Sequence, residues 1–300
     1  MSLTKVHNRL ISGSVANVID YGADVTGATS STVAVQAAFD ANLGSVYFPS
    51  GTYKLGAVTI NNPVYVTGAR NAIIVPSLGL SGGKMFLSLS DDVTFEGLNI
   101  DGTGETFTPA TGNTYLFFSG TSSGSRYKNH NYLRNTVLNA SFSDGNPVTG
   151  GTNLLTTHAF YVQDVDNVMI EGNEVNTLAG ACVFARDVSG IRVTNNRWQN
   201  NNWYTVNFAS DVKHFTISNN EFISATTDGV YWGGAVNIVS DVGEIRVGHG
   251  DIVNNYFTGK YSYGAVIRLQ SVLNVLVQNN KISGIDNTAS GAEITGIAVT

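Results

Sequence analysis

The sequence holds a single cysteine, Cys182, in 300 residues. It has no intrachain disulfide partner, so stability has to come from packing. Charge is scarce too: 13% of residues are charged, well under the usual quarter. The net charge is −6 and no Lys/Arg run exists, which argues against nucleic acid as a partner. A mildly acidic surface is also a poor match for anionic membranes. No apolar run approaches the roughly 18 residues that a membrane-spanning helix needs. The opening Met1-Ser-Leu-Thr-Lys-Val-His-Asn-Arg9 lacks an apolar signal core, so we expect synthesis in a cytoplasm and exit by lysis or within a particle. No His/Cys spacing suggests zinc. Asp91-Asp92 is the only adjacent acid pair and reads as a turn, so neither a metal nor a cofactor is expected.

What the sequence has instead is glycine (33 residues), much Asn and Ser, and a hydrophobic share of 42%. That share excludes disorder. β-Branched residues with Asn and Gly suit strands joined by tight turns.

One pattern recurs: Val168-Met-Ile-Glu-Gly-Asn173-Glu-Val175, Ile191-Arg-Val-Thr-Asn-Asn196-Arg-Trp198, Phe215-Thr-Ile-Ser-Asn-Asn220-Glu-Phe222, Ile252-Val-Asn-Asn255-Tyr-Phe257 and Val275-Leu-Val-Gln-Asn-Asn280-Lys-Ile282. Its Asn residues are spaced by 23, 24, 35 and 25 residues, the long step being a coil with a loop inserted. Asn135 and the Phe95–Ile100 segment look like earlier members. A second column runs through Tyr161-Val-Gln-Asp164, Phe184-Ala-Arg-Asp187, Phe208-Ala-Ser-Asp211 and Ile238-Val-Ser-Asp241, with Ser271 next. A fixed period of this length marks a solenoid. One coil cannot bury its apolar face alone; stacked coils about 4.8 Å apart bury a continuous core. The predicted fold is therefore all-β, a right-handed single-stranded parallel β-helix. The Asn column reads as a structural ladder. The Asp164/187/211/241 column reads as a solvated turn ladder capping backbone N–H groups.

Residues 18–55 differ. After Val18-Ile-Asp-Tyr-Gly-Ala23 comes Ser31-Thr-Val-Ala-Val-Gln-Ala-Ala-Phe-Asp-Ala41, with Val33, Ala34, Ala37, Ala38 and Ala41 on one helical face. Ser30 or Ser31 is the expected N-cap and Gly44 the stop. Ser45-Val-Tyr-Phe-Pro-Ser-Gly-Thr-Tyr-Lys-Leu55 then reads as strand, turn and strand. This short N-terminal helix is expected to cap the open end of the solenoid core.

This block resembles the opening of the pectate-lyase-like β-helix superfamily, in the manner of bacteriophage tailspike and tail-fibre proteins. The preceding Lys5–Gly13 looks like the lead-in such proteins carry. The specific match covers residues 5–55; the family's acidic turn is replaced by Asp24-Val-Thr-Gly-Ala-Thr-Ser-Ser31. The resemblance implies a homotrimer on a phage particle that acts outside the cell. Its implied target is a bacterial surface polysaccharide, recognised and often cleaved. It also implies attachment to other tail or baseplate proteins through residues 1–17, ahead of a β-helix domain over 18–300 (capping block 18–55, coils 56–300). The chain stops in mid-strand by the repeat register, so we expect it to continue.

Glycoside hydrolysis needs two carboxylates flanking the bond. The column after the Asn ladder reads Glu174, Arg197, Glu221, Tyr256, Lys281 and alternates with a buried column, so it points outward. Glu174 and Glu221 are then about 10 Å apart across Arg197, near the upper end for inversion. The alternative is a ladder of compensating charges. The loops beyond carry Trp203-Tyr204, Tyr231-Trp232 and Tyr261 with Tyr263. Such clusters suit sugar stacking or a trimer interface. Asp228 sits among them as an acid candidate or an Asp-Gly turn. Thr227-Asp-Gly229 and Gly248-His-Gly250 resemble fragments of the polygalacturonase motifs, but the acid pair between them is absent. His249 reads as a loop residue, and a Ser-His-Asp triad is recognised only by geometry. Segments Asp101–Glu105, Ser119–Asn131 and Ser143–Thr157 read as insertions that wall a groove. The candidate catalytic residues are thus Asp228, Glu221 and Glu174, with Trp203, Tyr204, Tyr231, Trp232, Tyr261, Tyr263 and Arg197 for substrate. A lyase and a non-catalytic binder are the alternatives.

Overall fold

The computed structural model describes residues 15–77, 83–103, 113–121, 125–140, 157–178, 180–201, 204–225, 234–239, 247–261, 265–286 and 295–299. The chain winds as a parallel β-helix with three faces. Face A is a ten-stranded parallel sheet running from Thr26–Ser30 through Glu174–Leu178, Arg197–Asn201 and Glu221–Ala225 to Lys281–Asp286. Face B stacks Val64–Gly68, Val93–Glu96, Tyr127–Leu133 and Val165–Glu171, and continues to Val272–Gln278. Face C stacks Lys84–Ser88, Thr114–Ser119 and Thr157–Gln163, and continues to Thr295–Val299. Faces B and C fuse into one 17-stranded sheet because Val183–Thr194 and Val206–Ser218 run through the corner between them. Each coil therefore goes C, B, A and on to the next C.

The stacking places like residues in register. On face A, Ile100, Val137, Val175, Trp198, Phe222 and Phe257 form one inward column. On face C, Phe86, Phe117 and Phe160 stack at 5.5 and 5.2 Å between ring centroids. All are buried. One-coil spacing lets flat side chains lie face to face, which adds to the area they bury.

The corner between faces B and A is held by the Asn ladder. Asn135, Asn173, Asn196, Asn220 and Asn255 each donate their backbone N–H to the Oδ1 of the next Asn, at 2.8–3.0 Å. Each also returns its Nδ2 to a carbonyl of the preceding coil, as Asn196 does to Ile170 at 2.9 Å. The ladder starts at Leu98, whose N–H donates to Asn135. The residue before each Asn is left-handed: Arg134, Gly172, Asn195, Asn219, Asn254 and Asn279 have φ of 52–66°, and Gly97 before Leu98 matches them at 67°. Gly and Asn tolerate that conformation best, which explains the Asn-Asn and Gly-Asn pairs in the sequence.

The capping helix spans Thr32–Asp40 after Ser31, which makes no side-chain cap bond. Its buried face is Ala34, Val35, Ala38 and Phe39, whereas Val33 is 84% exposed and Ala37 is also exposed. The face is rotated by one residue from the expected one. Phe39 accounts for this: its ring meets Phe86 edge-on at 6.4 Å and outweighs the alanines. In the expected insertion Ser119–Asn131, Ser119 ends the strand Thr114–Ser119 and residues 127–131 belong to the strand Tyr127–Leu133, while 122–124 lie outside the described residues. Residues 1–14, most of the insertion 143–157 and Asp241 lie outside the described residues.

Candidate functional site

The column predicted on face A exists in register: Glu174 pairs with Arg197, Arg197 with Glu221, Glu221 with Tyr256 and Tyr256 with Lys281. Arg197 lies 3.0 Å from the Glu221 carboxylate and 3.8 Å from that of Glu174, and all three side chains are about half exposed. Both acids are thus engaged by one guanidinium.

The aromatic loops differ from expectation. Tyr204 is 8% exposed and Tyr261 3%. Tyr261 donates its hydroxyl to the Phe222 carbonyl at 3.3 Å, and burial raises its pKa. Two buried rings offer no open face to a sugar, so the stacking role expected of Tyr204 and Tyr261 is not available to them. Asp228, Trp203, Tyr231, Trp232 and Tyr263 lie outside the described residues, as does Glu244. His249 sits within the strand Val247–Val253, left-handed at φ 57°, its exposed ring stacked on His214 at 5.7 Å. It is not a loop residue.

Exposed chemistry gathers instead where face C turns into face B. Asp164 and Asp187 occupy the same corner on adjacent coils, both left-handed, at φ 54° and 52°. The preceding residues, Gln163 and Arg186, are Cα partners in the ladder, and the Asp164 N–H donates to the Arg186 carbonyl at 3.3 Å. One coil separates the two residues, a backbone spacing of about 5 Å. Asp187 is 3.4 Å from the Arg186 guanidinium, and Arg126 forks onto Asp166 beside them. Burial raises the pKa of Asp164, and the Asp187 charge raises it further. The two acids sit in unequal surroundings: Asp164 is raised toward its protonated form, while Asp187 faces the Arg186 guanidinium. In the next coil a bulge puts two residues opposite Asp187, so Ser210 takes the left-handed position. Asp211 turns to Lys213 at 2.9 Å. These aspartates meet side chains, not the backbone N–H groups that a turn ladder would cap.

Beside the acid pair, face C carries an outward ladder of rings. Phe118, Tyr161 and Phe184 stack at 4.7 and 4.8 Å. Tyr115 and His158 flank them edge-on, and Lys84 covers the far face of Phe118 at 3.7 Å. Rings stacked this way cover one another's faces, so the ladder is a rigid spine that presents edges. Burial pushes the Tyr161 hydroxyl up to about 12. The sequence showed Tyr161-Val-Gln-Asp164 and Phe184-Ala-Arg-Asp187 as a repeat. Only the register shows that it sets two carboxylates side by side.

A Ser–His pair also occurs, but inside the core. Tyr132 donates to Ser119 Oγ, which donates to His130 Nδ1 at 2.5 Å, and His130 Nε2 donates to the Ser90 carbonyl at 2.6 Å. Ser119 and His130 are fully buried. The third partner is a carbonyl rather than a carboxylate, so the chain of bonds satisfies buried groups and is no esterase triad. Among the described residues no cluster of three or more His, Cys, Asp or Glu is arranged to hold a metal. Nor is any described helix long and apolar enough to cross a membrane.

The family model for the right-handed β-helix region matches residues 128–299, more than half of the chain, which therefore belongs to that family. No curated protein matches it in sequence. Among solved structures, it is similar to the A-module of the Azotobacter vinelandii mannuronan C-5 epimerase AlgE6, at 16% identity and a TM-score of 0.60, over 94% of this chain and 79% of that one. It is also similar to ORF18 of Geobacillus virus E2, at 16% identity and a TM-score of 0.52, over 96% of this chain and 66% of the other. The enzymatically active domain of bacteriophage CBA120 tailspike protein 2 matches at 11% identity and a TM-score of 0.55, over 94% of this chain and 46% of that one. The chain spans about two thirds and about half the length of these two phage proteins. At such identities the likeness shows the fold.

Proposed function

We propose that this chain is a tailspike-like protein that binds a bacterial surface polysaccharide and hydrolyses it on its outer surface. Assembly as a homotrimer on a phage tail, joined to the tail through residues 1–17, belongs to the same reading. The observation that carries it is the Asp164–Asp187 pair, with its one-coil spacing and unequal surroundings. Carboxylates about 5 Å apart suit a retaining glycosidase. Asp187 attacks the anomeric carbon while Asp164 gives its proton to the departing glycosidic oxygen. Asp164, now a carboxylate, takes a proton from a water that attacks the same carbon, and Asp187 is released as the sugar hydroxyl forms. The fold's likeness to a phage tailspike domain described as enzymatically active supports the tailspike-like reading.

A second reading is a non-catalytic glycan binder, favoured by the engagement of Glu174 and Glu221 with Arg197. The test is release of reducing ends from purified capsule or lipopolysaccharide by the wild type, Asp187→Asn, Glu221→Gln and Asp228→Asn. Loss in folded Asp187→Asn alone supports the corner pair. Loss in Glu221→Gln or Asp228→Asn moves the chemistry to those residues. Binding without release in any form supports the binder.

A further inference from the structure

Face C continues past its rings into a polar half. In register with Phe184 come Asn207, then Asn237, then Arg268. Asn237 donates its Nδ2 to Asn207 Oδ1 at 2.8 Å. Both amides are buried, and Asn237, 6% exposed, leaves its Oδ1 without a hydrogen-bond partner. A buried carbonyl oxygen with no donor is costly and rare in a finished structure. Among the described residues, Arg268, one coil on and half-buried, is held by neutral oxygens: Gln270 Oε1 at 2.6 Å and the Tyr204 hydroxyl at 3.5 Å. Among the described residues no carboxylate pairs with it, unlike Arg126, Arg134, Arg186 and Arg197. A half-buried guanidinium that meets no carboxylate among the described residues is poised for an anion, and its fork matches a carboxylate.

We propose that Arg268 and Asn237 form a subsite for an acidic sugar, the guanidinium taking the carboxylate of a uronic acid and Asn237 Oδ1 accepting a hydroxyl from the same residue. The subsite lies three coils from Asp187, about 14 Å along the axis, roughly the length of a trisaccharide. This deepens the glycan-binding reading and rests on it: the polysaccharide recognised is acidic.

The test is calorimetric titration with hexasaccharides of polymannuronate and polygalacturonate, each beside its carboxyl-reduced neutral form. We expect at least one acidic hexamer to bind and its reduced form to bind about tenfold more weakly. Arg268→Gln should bring the acidic hexamer down to the level of the neutral one. Asn237→Leu removes the orphaned carbonyl together with the bond to Asn207, so in a variant that stays folded it should weaken binding of the acidic hexamer. Binding of neither acidic hexamer, equal binding of the reduced forms, or wild-type affinity in Arg268→Gln overturns the proposal. So does folded Asn237→Leu with unchanged affinity. These readouts need no turnover, so failure here is told apart from failure of the hydrolysis assay.

Discussion

Asn196 Oδ1 accepts two hydrogen bonds from Asn173, one from its backbone N–H at 2.8 Å and one from its Nδ2 at 3.0 Å. With the Asn196 Nδ2 bond to Ile170 O, one amide satisfies three buried polar groups on the coils below it. Asn196→Ala orphans all three. We predict a loss on the order of 3 kcal/mol or more, read from urea unfolding. A loss below about 1 kcal/mol would mean that the ladder merely fills space.

His158 is buried beneath Tyr115, Tyr161 and Phe184, and its Nδ1 accepts from the Ala181 N–H at 3.2 Å. Burial lowers its pKa from 6.5 to about 3. Its depressed folded pKa means the unfolded chain takes up the proton first as pH falls. The neutral imidazole's contribution is whole above pH 6.5 and is lost progressively toward pH 3. The slope is at most about 1.4 kcal/mol per pH unit. Between those limits the wild type should lose stability more steeply than His158→Gln. Parallel curves would contradict the burial of a neutral ring. His130, also lowered by burial, contributes in the same direction in both proteins.

Trp198 is 1% exposed, between Val175 and Phe222 in the face A column, and its Nε1 has no hydrogen-bond partner. Trp198→Phe removes the orphaned donor along with some volume. We predict a net change under about 1 kcal/mol, where Trp198→Ala costs about 3–5 kcal/mol. Thermal unfolding of the pair checks this.

The Glu174–Arg197–Glu221 ladder is half exposed. Arg197→Met should cost less than about 1 kcal/mol, and less still at high salt. Glu174→Gln and Glu221→Gln should keep reducing-end release; loss in either would restore them as the acids of the reaction.

The coils were legible because stacking repeats one chemistry at one position, as Asn173, Asn196, Asn220 and Asn255 do. The outward direction of Glu174 and Glu221 followed from strand alternation. The helix face was misjudged because alanines weigh little against one phenylalanine, Phe39, whose neighbour Phe86 lies far off in sequence. The Asp164–Asp187 pair and Arg268 were not legible as sites. Their meaning depends on which coil lies beside which, and on the bulge that diverts Asp211 from the column.

The most direct test follows the anomeric configuration of the first-formed product by proton NMR during digestion of the host polysaccharide. The Asp164–Asp187 pair predicts retention, with Asp164→Asn and Asp187→Asn both inactive though folded. Inversion, or full activity in either variant, would contradict it and return the chemistry to carboxylates farther apart, such as Glu174 and Glu221.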